Sequence, residues 1–182
     1  MFHKFSICET SVTNEDFSKF IIDTGYKTDA EKFGWSFCFF ETLSEKNKKN
    51  VEYWIQGSEW WCRVDSATWN TPEGPDSNIE KRMDHPVVHV SCNDAKAYCL
   101  WSGTRLPSEA EWEFAARGGL EQALYPWGDQ LLVNGEHMCN IWQGKFPTEN
   151  KCKDGYLATA PGKSYKPNNF GLFNLVGNVW EW

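Results

Sequence analysis

The chain has 182 residues, 41% of them apolar and 24% charged, and carries a net charge of −7. That length suits one domain with a sizeable core. The acidic balance excludes the clustered Lys and Arg whose counterion release drives nucleic-acid binding. No segment reaches the ~18 apolar residues needed to span a bilayer, and the opening "MFHKFSICETS" lacks the long apolar core of a signal peptide. Eleven Trp and twelve Phe with a mean hydropathy of −0.59 describe large flat rings packed among polar loops. Such rings fill cores, and they also line clefts that hold extended peptide or sugar.

Three stretches carry helix punctuation. In "VTNEDFSKFIIDTG" Thr13 can cap, Asp16 can reach back, Phe17, Phe20 and Ile21 share a face, and Gly25 ends the run. "EKNKK" at 45–49 is short, mixed in charge and expected on a solvated surface. Residues 34–84, rich in Trp, Gly, Pro and Asn, are expected to be long ordered loops. "PVVHVS" (86–91) reads as a short strand leading into a second helix, "SCNDAKAYCLWSG". There Ser91 and Asp94 repeat the start signal, Ala95, Tyr98 and Cys99 face inward, and Gly103 closes. "PSEAEWEFAARGG" is the clearest of the three: Ser108 and Glu111 form a capping box after Pro107. Trp112, Ala115 and Ala116 line one side, and Gly118–Gly119 stop it. Residues 120–172 are again expected to be loops. Loops of such length are uncommon in a compact domain unless functional or pinned by something other than their own backbone.

Candidate chemistry lies first in oxygen. "NIWQGKFPTENKCKDGY" holds Asn140, Asn150 and Asp154 around two glycines. The tail "NLVGNVWEW" supplies Asn174, Asn178 and Glu181, with Gly177 free to turn. Calcium accepts six to eight oxygens from carboxylates, amides and carbonyls, so such a set can hold it; Asn and Asp also simply make turns. In "EWWCRVDSATWN", Trp60, Trp61 and Trp69 follow no helical period. Adjacent rings in a loop cannot all point inward, so one is a candidate to face a groove. The seven cysteines (8, 38, 62, 92, 99, 139, 152) fit either a disulfide protein that has lost a partner or one with a free thiol. Cys92 and Cys99, two helical turns apart, are about 10 Å distant along the axis, too far to bridge each other. No C-x-x-C occurs and the four His (3, 85, 89, 137) add no ligand spacing, which argues against zinc.

Taken together, "WNTPEGPDS", "DHPVVHVSCNDAKAYCLWSGTRLPSEAEWEFAARGG", "YPWGD", "NIWQGKFP" and "GLFNLVGNVWEW" resemble the sulfatase-modifying factors, the formylglycine-generating enzyme family, from about Val12 to Trp182. The resemblance implies a single, compact α+β domain with little regular secondary structure, related to C-type lectin modules, and residence in the endoplasmic reticulum lumen. It implies oxidation of a Cys in a C-x-P-x-R segment of nascent sulfatases to Cα-formylglycine, with molecular oxygen and copper. Pairing with a paralogue is a further implied partnership. Positions matching the family's first calcium site are Asn140, Ile141, Asp154 and Tyr156, with Ile141 and Tyr156 acting through carbonyls. Those of the second are Asn174, Gly177, Val179 and Glu181. The peptide groove maps to Ser36, Trp60 and Trp180.

The match has departures. Trp35 stands where an Asp is usual, Arg63 replaces a Pro, Ser11 an acidic residue and Cys92 a Trp. Cys99 matches a family Cys whose disulfide partner lies downstream of Trp182, and Ala116 occupies the upstream position of a second family disulfide. The family's copper-binding cysteine pair also lies beyond Trp182. The expectation is therefore a C-terminally truncated family domain, inactive as it stands, with two calcium ions and with copper only in the full-length enzyme. Two alternatives stand beside the oxidase: a catalytically silent sulfatase-binding paralogue, towards which Ala116 leans, and a lectin-like module binding through its Trp-rich face.

Overall fold

The structure, a computed structural model, describes residues 4–182; His3 lies outside the described residues. The chain forms two compact units, one of Val12–Arg105 and one of Met1–Ser11 with Leu106–Trp182. Helices and short antiparallel sheets occur together, a mixed α and β composition as expected.

In the unit Val12–Arg105, helix α1 spans Asn14–Thr24. Thr13 Oγ1 accepts the Asp16 N–H at 3.2 Å, and left-handed Gly25 returns its N–H to the Ile21 carbonyl. Phe17 and Phe20 are buried and stack edge-on at 5.3 Å between ring centres. A second, unanticipated helix α2 (Asp29–Phe33) uses the same start signal, a reciprocal capping box between Thr28 and Glu31. It is too short for periodicity to reveal.

The expectation of loops over 34–84 is corrected. Strand β1 (Trp35–Phe39), helix α3 (Glu45–Lys49), strand β2 (Trp54–Ile55) and strand β3 (Ser58–Asp65) lie there. The strands form an antiparallel sheet of order β1-β3-β2. The strands escaped notice because both faces carry apolar residues, Trp35, Phe37, Phe39 and Trp61 on one and Cys38, Cys62 and Val64 on the other, so the half-buried strand pattern of polar against apolar is blurred. Register places Ser36 opposite Val64 and Cys38 opposite Cys62. Cys38, Cys62 and Val64 are buried with Leu43 and Ala67. A second cluster joins Phe17, Phe20, Trp69 and Ile79, with Val87, Val90 and Tyr98 packed on it.

The strand expected at 86–91 does not form. Pro86 makes a single bridge to Thr13 and Val87 bonds back to Val12. His89, at φ +57°, then turns the chain into the left-handed region, where a strand cannot continue. Helix α4 (Cys92–Ser102) follows with the Ser91–Asp94 capping box and Gly103 as its stop. Fully buried Asp94 accepts from the Tyr26 hydroxyl (2.9 Å), the Asp29 N–H (3.0 Å) and the Ser91 N–H (2.8 Å).

In the other unit, helix α5 (Glu109–Arg117) carries the Ser108–Glu111 capping box, ends at left-handed Gly118 and buries Ala115 and Ala116. Asn168 donates to the carbonyls of Ala115 (2.7 Å) and Ala116 (3.0 Å) at the helix end, the first of which also accepts the Gly118 N–H. Between 120 and 172 the regular structure is one two-stranded hairpin, β4 (Leu132–Val133) with β5 (Glu136–His137). The loops expected there are present. All seven cysteines are free thiols, Cys92 and Cys99 included. Among the described residues no helix is long and apolar enough to cross a membrane.

Candidate functional site

The oxygen-rich loops are held by side chains that substitute for secondary structure. Asp154 receives the backbone N–H of Ile141 on one oxygen (2.9 Å) and that of Tyr156 on the other (3.1 Å). One carboxylate thus gathers the two residues whose carbonyls are the expected partners of a cation. Buried Asn140 directs its amide nitrogen to the Ala158 carbonyl (2.6 Å) and to Asn178 Oδ1 (3.0 Å), leaving its oxygen as the free end of the amide. Sequence reasoning missed Gln143. Its Oε1 accepts the N–H groups of Lys153 (2.6 Å) and Asp154 (3.3 Å), and its amide donates to the Ile141 carbonyl. A cation bound here would have to take that carbonyl's second lone pair or displace the amide.

In the tail, Asn174 donates to the Pro161 carbonyl at 2.8 Å, while its Oδ1 is buried without any hydrogen-bond partner. An orphaned buried acceptor costs about 1–3 kcal/mol, and a cation at that oxygen removes the cost. Asn174, Gly177 and Asn178 all adopt left-handed backbone (φ +52°, +73° and +63°). Gly177 lies so close to the Asn140 carbonyl that a Cβ there would overlap it. The carboxylate of Glu181 accepts from Ser11 Oγ and from Trp112 Nε1, each at 3.0 Å. Each set has one carboxylate and several neutral oxygens, the donor chemistry of calcium. Among the described residues no three His, Cys, Asp or Glu side chains gather as a ligand cluster.

Asp154 also acts electrostatically. Burial first, and the Asp154 charge second, push the Cys139 thiol up to about 11 and raise the Tyr165 phenol. Both groups stay protonated near neutrality.

The expected groove residues divide between the units. Trp180 belongs to the unit ending at Trp182 and is 92% exposed. Ser36 and Trp60 belong to the other. Trp60 and Trp61 sit on strand β3 rather than in a loop. Strand alternation therefore separates the adjacent rings. Trp61 faces outward against Phe39, 5.8 Å between ring centres, and Trp60 takes the face of Cys62 and Val64, the one that Ser36 shares. The third ring, Trp69, is a core residue at 7% exposure.

Ser36 is held by a residue that the sequence did not single out. Its Oγ lies 2.8 Å from Nδ1 of His89, whose Nε2 lies 2.7 Å from the Pro72 carbonyl. Two departures noted in the sequence also meet. The Arg63 guanidinium lies over the Trp35 ring at 4.9 Å and bonds Asp65 through Nε and Nη2. Asp65 in turn is the register partner of Trp35. The Trp and the Arg form one cation–π unit, a compensation visible only across the sheet.

The model of the sulfatase-modifying factor enzyme 1-like domain matches residues 1–182. A formylglycine-generating enzyme of Mus musculus is 55% identical over 171 residues, which are 94% of this chain and 46% of that protein. One of Thermomonospora curvata is 52% identical over 178 residues, 98% of this chain and 58% of that protein. An inactive Cα-formylglycine-generating enzyme 2 of Bos taurus is 48% identical over 179 residues, 98% and 58% of the two chains. The chain spans about half the length of these curated relatives. On the strength of a match over its whole length, the chain belongs to the sulfatase-modifying factor, or formylglycine-generating enzyme, family.

Proposed function

We propose that the chain forms the peptide-binding and calcium-braced part of a formylglycine-generating oxidase. In this reading the protein acts in the endoplasmic reticulum lumen on nascent sulfatases, converting the Cys of a C-x-P-x-R segment to Cα-formylglycine. Its fold belongs with the C-type lectin modules, and a paralogue is a candidate dimer partner. The observation that carries the reading is the 52–55% identity to formylglycine-generating enzymes over 94–98% of the chain.

The loop residues fit calcium. One ion belongs with Asn140, Ile141, Asp154 and Tyr156, the other with Asn174, Gly177, Val179 and Glu181. Bound calcium supplies multivalent oxygen cross-links that keep these loops ordered without helix or strand. Ser36, Trp60 and Trp180 are assigned to the substrate peptide. The facing thiols Cys38 and Cys62 do not fit copper. Cys38 and Cys62 face each other across β1 and β3, but both are buried, and burial raises both above the usual thiol range. That disfavours the thiolates copper(I) prefers, so no step is assigned through copper at these residues.

The second reading is the silent sulfatase-binding paralogue. It is favoured by buried Ala116 in α5, where the resemblance places a disulfide Cys in the active enzyme. The discriminating experiment incubates the full-length protein, loaded with calcium and copper, with a C-x-P-x-R peptide under air. An aldehyde trapped by an aminooxy probe is the expected result. Tight peptide binding without aldehyde sinks the oxidase and supports the paralogue. Neither binding nor aldehyde, with retention of a glycan, supports a lectin-like module.

A further inference from the structure

The hydrogen-bond chain Ser36–His89–Pro72 has a direction that can be worked out. A carbonyl only accepts, so the Nε2 facing the Pro72 oxygen at 2.7 Å must carry a hydrogen. The imidazole is half-buried, and the desolvation that comes with this holds its pKa below the ordinary histidine value. The ring is therefore neutral near pH 7 and has one proton to place. With Nε2 protonated, Nδ1 is a bare acceptor, and the Ser36 hydroxyl 2.8 Å away must donate to it. A serine hydroxyl ordinarily rotates to suit its partner. This one cannot: its hydrogen is committed inward and only its lone pairs remain.

The surroundings fix the arrangement. The same Pro72 carbonyl accepts from Cys38 Sγ at 3.2 Å, the protonated thiol of the residue two along β1 from Ser36. The neighbouring residue of the turn, Glu73, is clamped by both terminal nitrogens of Arg82 at 2.6 and 2.8 Å. Its carbonyl takes the Asn47 amide at 2.8 Å. His89 itself stands at φ +57°, in the left-handed region that His enters more readily than most side chains.

We propose that His89 is a positioning residue that locks Ser36 as an acceptor-only contact, so that the substrate group meeting Ser36 is a hydrogen-bond donor, a backbone N–H or the cysteine S–H of the bound peptide. This rests on the assignment of Ser36 to the peptide groove. It makes that contact selective by polarity, since a substrate carbonyl facing Ser36 would meet a lone pair. It also makes the contact pH-coded. When His89 gains its second proton, Nδ1–H donates to Ser36, and the hydroxyl hydrogen is released towards the substrate. Of the charged and titratable groups facing the ring, the Glu73 carboxylate favours that protonation, although it is paired with Arg82. The Cys38 and Cys62 thiols, pushed up by burial, stay neutral throughout.

The test has two parts on the full chain. Nitrogen-15 NMR of the free protein reads the tautomer: His89 with Nε2 protonated and Nδ1 bare at pH 7 is expected, and the opposite tautomer or a doubly protonated ring overturns the lock. Binding of a C-x-P-x-R peptide is then measured for wild type and Ser36→Ala, using peptides N-methylated at one position at a time and a peptide with its Cys replaced by Ala. Loss of one donor is expected to weaken wild-type binding about three- to tenfold, the effect of one hydrogen bond. The same change should leave Ser36→Ala unmoved. Wild-type affinity should also fall as the pH drops below the ordinary histidine range, and this dependence should vanish in Ser36→Ala and in His89→Asn, where Asn suits the left-handed backbone. If the peptide binds but no donor couples to Ser36, the polarity claim fails while the groove stands. If no peptide binds at all, the groove assignment and the substrate half of the proposal fail together, whatever the tautomer.

Discussion

Asn140 and Asn178 are bonded to each other twice. The Asn140 amide donates to Asn178 Oδ1 at 3.0 Å, and the Asn178 backbone N–H returns to the Asn140 carbonyl at 2.8 Å. Asn178 also exchanges bonds with Ala160, accepting its N–H at 2.7 Å and donating to its carbonyl at 3.1 Å. This one side chain therefore ties the loop holding Asn140 and Asp154 to the tail holding Asn174 and Glu181. Asn178→Ala removes three side-chain bonds and leaves buried partners unpaired, so it should destabilise the fold by about 2–4 kcal/mol. Chemical denaturation with tryptophan fluorescence reads the change, and a loss below ~0.5 kcal/mol would show that the lacing is not structural.

Gly177 is the tightest point of the same junction. Its φ of +73° is strained for a residue with a side chain, and a Cβ would meet the Asn140 carbonyl and Ile141 Cγ2. Gly177→Ala should cost about 2 kcal/mol or more. Gly135 offers a control, since it has φ +82° but open space around it. Gly135→Ala should cost about 1 kcal/mol. Equal melting temperatures for the two variants would contradict the close approach.

Calcium should raise the melting temperature, because an ion that binds only the folded form stabilises it as RT ln(1 + [L]/Kd). Isothermal titration should give two ions for the wild type and one each for Asp154→Asn and Glu181→Gln. An unchanged melting curve across millimolar calcium would sink both sites.

Tyr26 and Asp94 make a pH prediction. The Tyr26 hydroxyl donates to Asp94 at 2.9 Å, and burial, then that bond, push the phenol up to about 12. A pKa raised on folding means that the contribution is complete below the unfolded value near 10 and is lost as the pH rises towards 12. Wild type should thus lose stability between pH 10 and 12 more steeply than Tyr26→Phe. Asp94→Ala, which also orphans the Asp29 and Ser91 N–H groups, should cost about 3 kcal/mol at neutral pH.

Trp180 and Trp69 should behave oppositely. Trp180 is 92% exposed, so Trp180→Ala should leave stability within about 0.5 kcal/mol and weaken C-x-P-x-R peptide binding about tenfold, as an aromatic anchor does. Trp69→Ala, in the core against Phe17 at 5.5 Å, should destabilise by about 3–5 kcal/mol. An exposed Trp180 whose removal changes no affinity would be withdrawn from the groove.

Local chemistry by itself determined α1, α4 and α5. Their caps Thr13, Ser91 and Ser108 and their stops Gly25, Gly103 and Gly118 act over one helical turn and can be read from neighbours in the chain. The loops over 120–172 were legible for the same reason, since Asn, Asp and Gly announce turns by type. Only tertiary structure decided the rest. The sheet of β1, β2 and β3 was hidden because apolar residues on both its faces blur the alternation that betrays a strand. The PVVHVS segment failed as a strand because His89 takes a left-handed backbone, which a strand-like run of Val conceals. The Ser36–His89 bond spans 53 residues, the Asn140–Asn178 pair spans 38, and Trp35 meets Arg63 only through strand register. Contacts between residues far apart in sequence depend on how the intervening chain closes, and no local pattern encodes that closure.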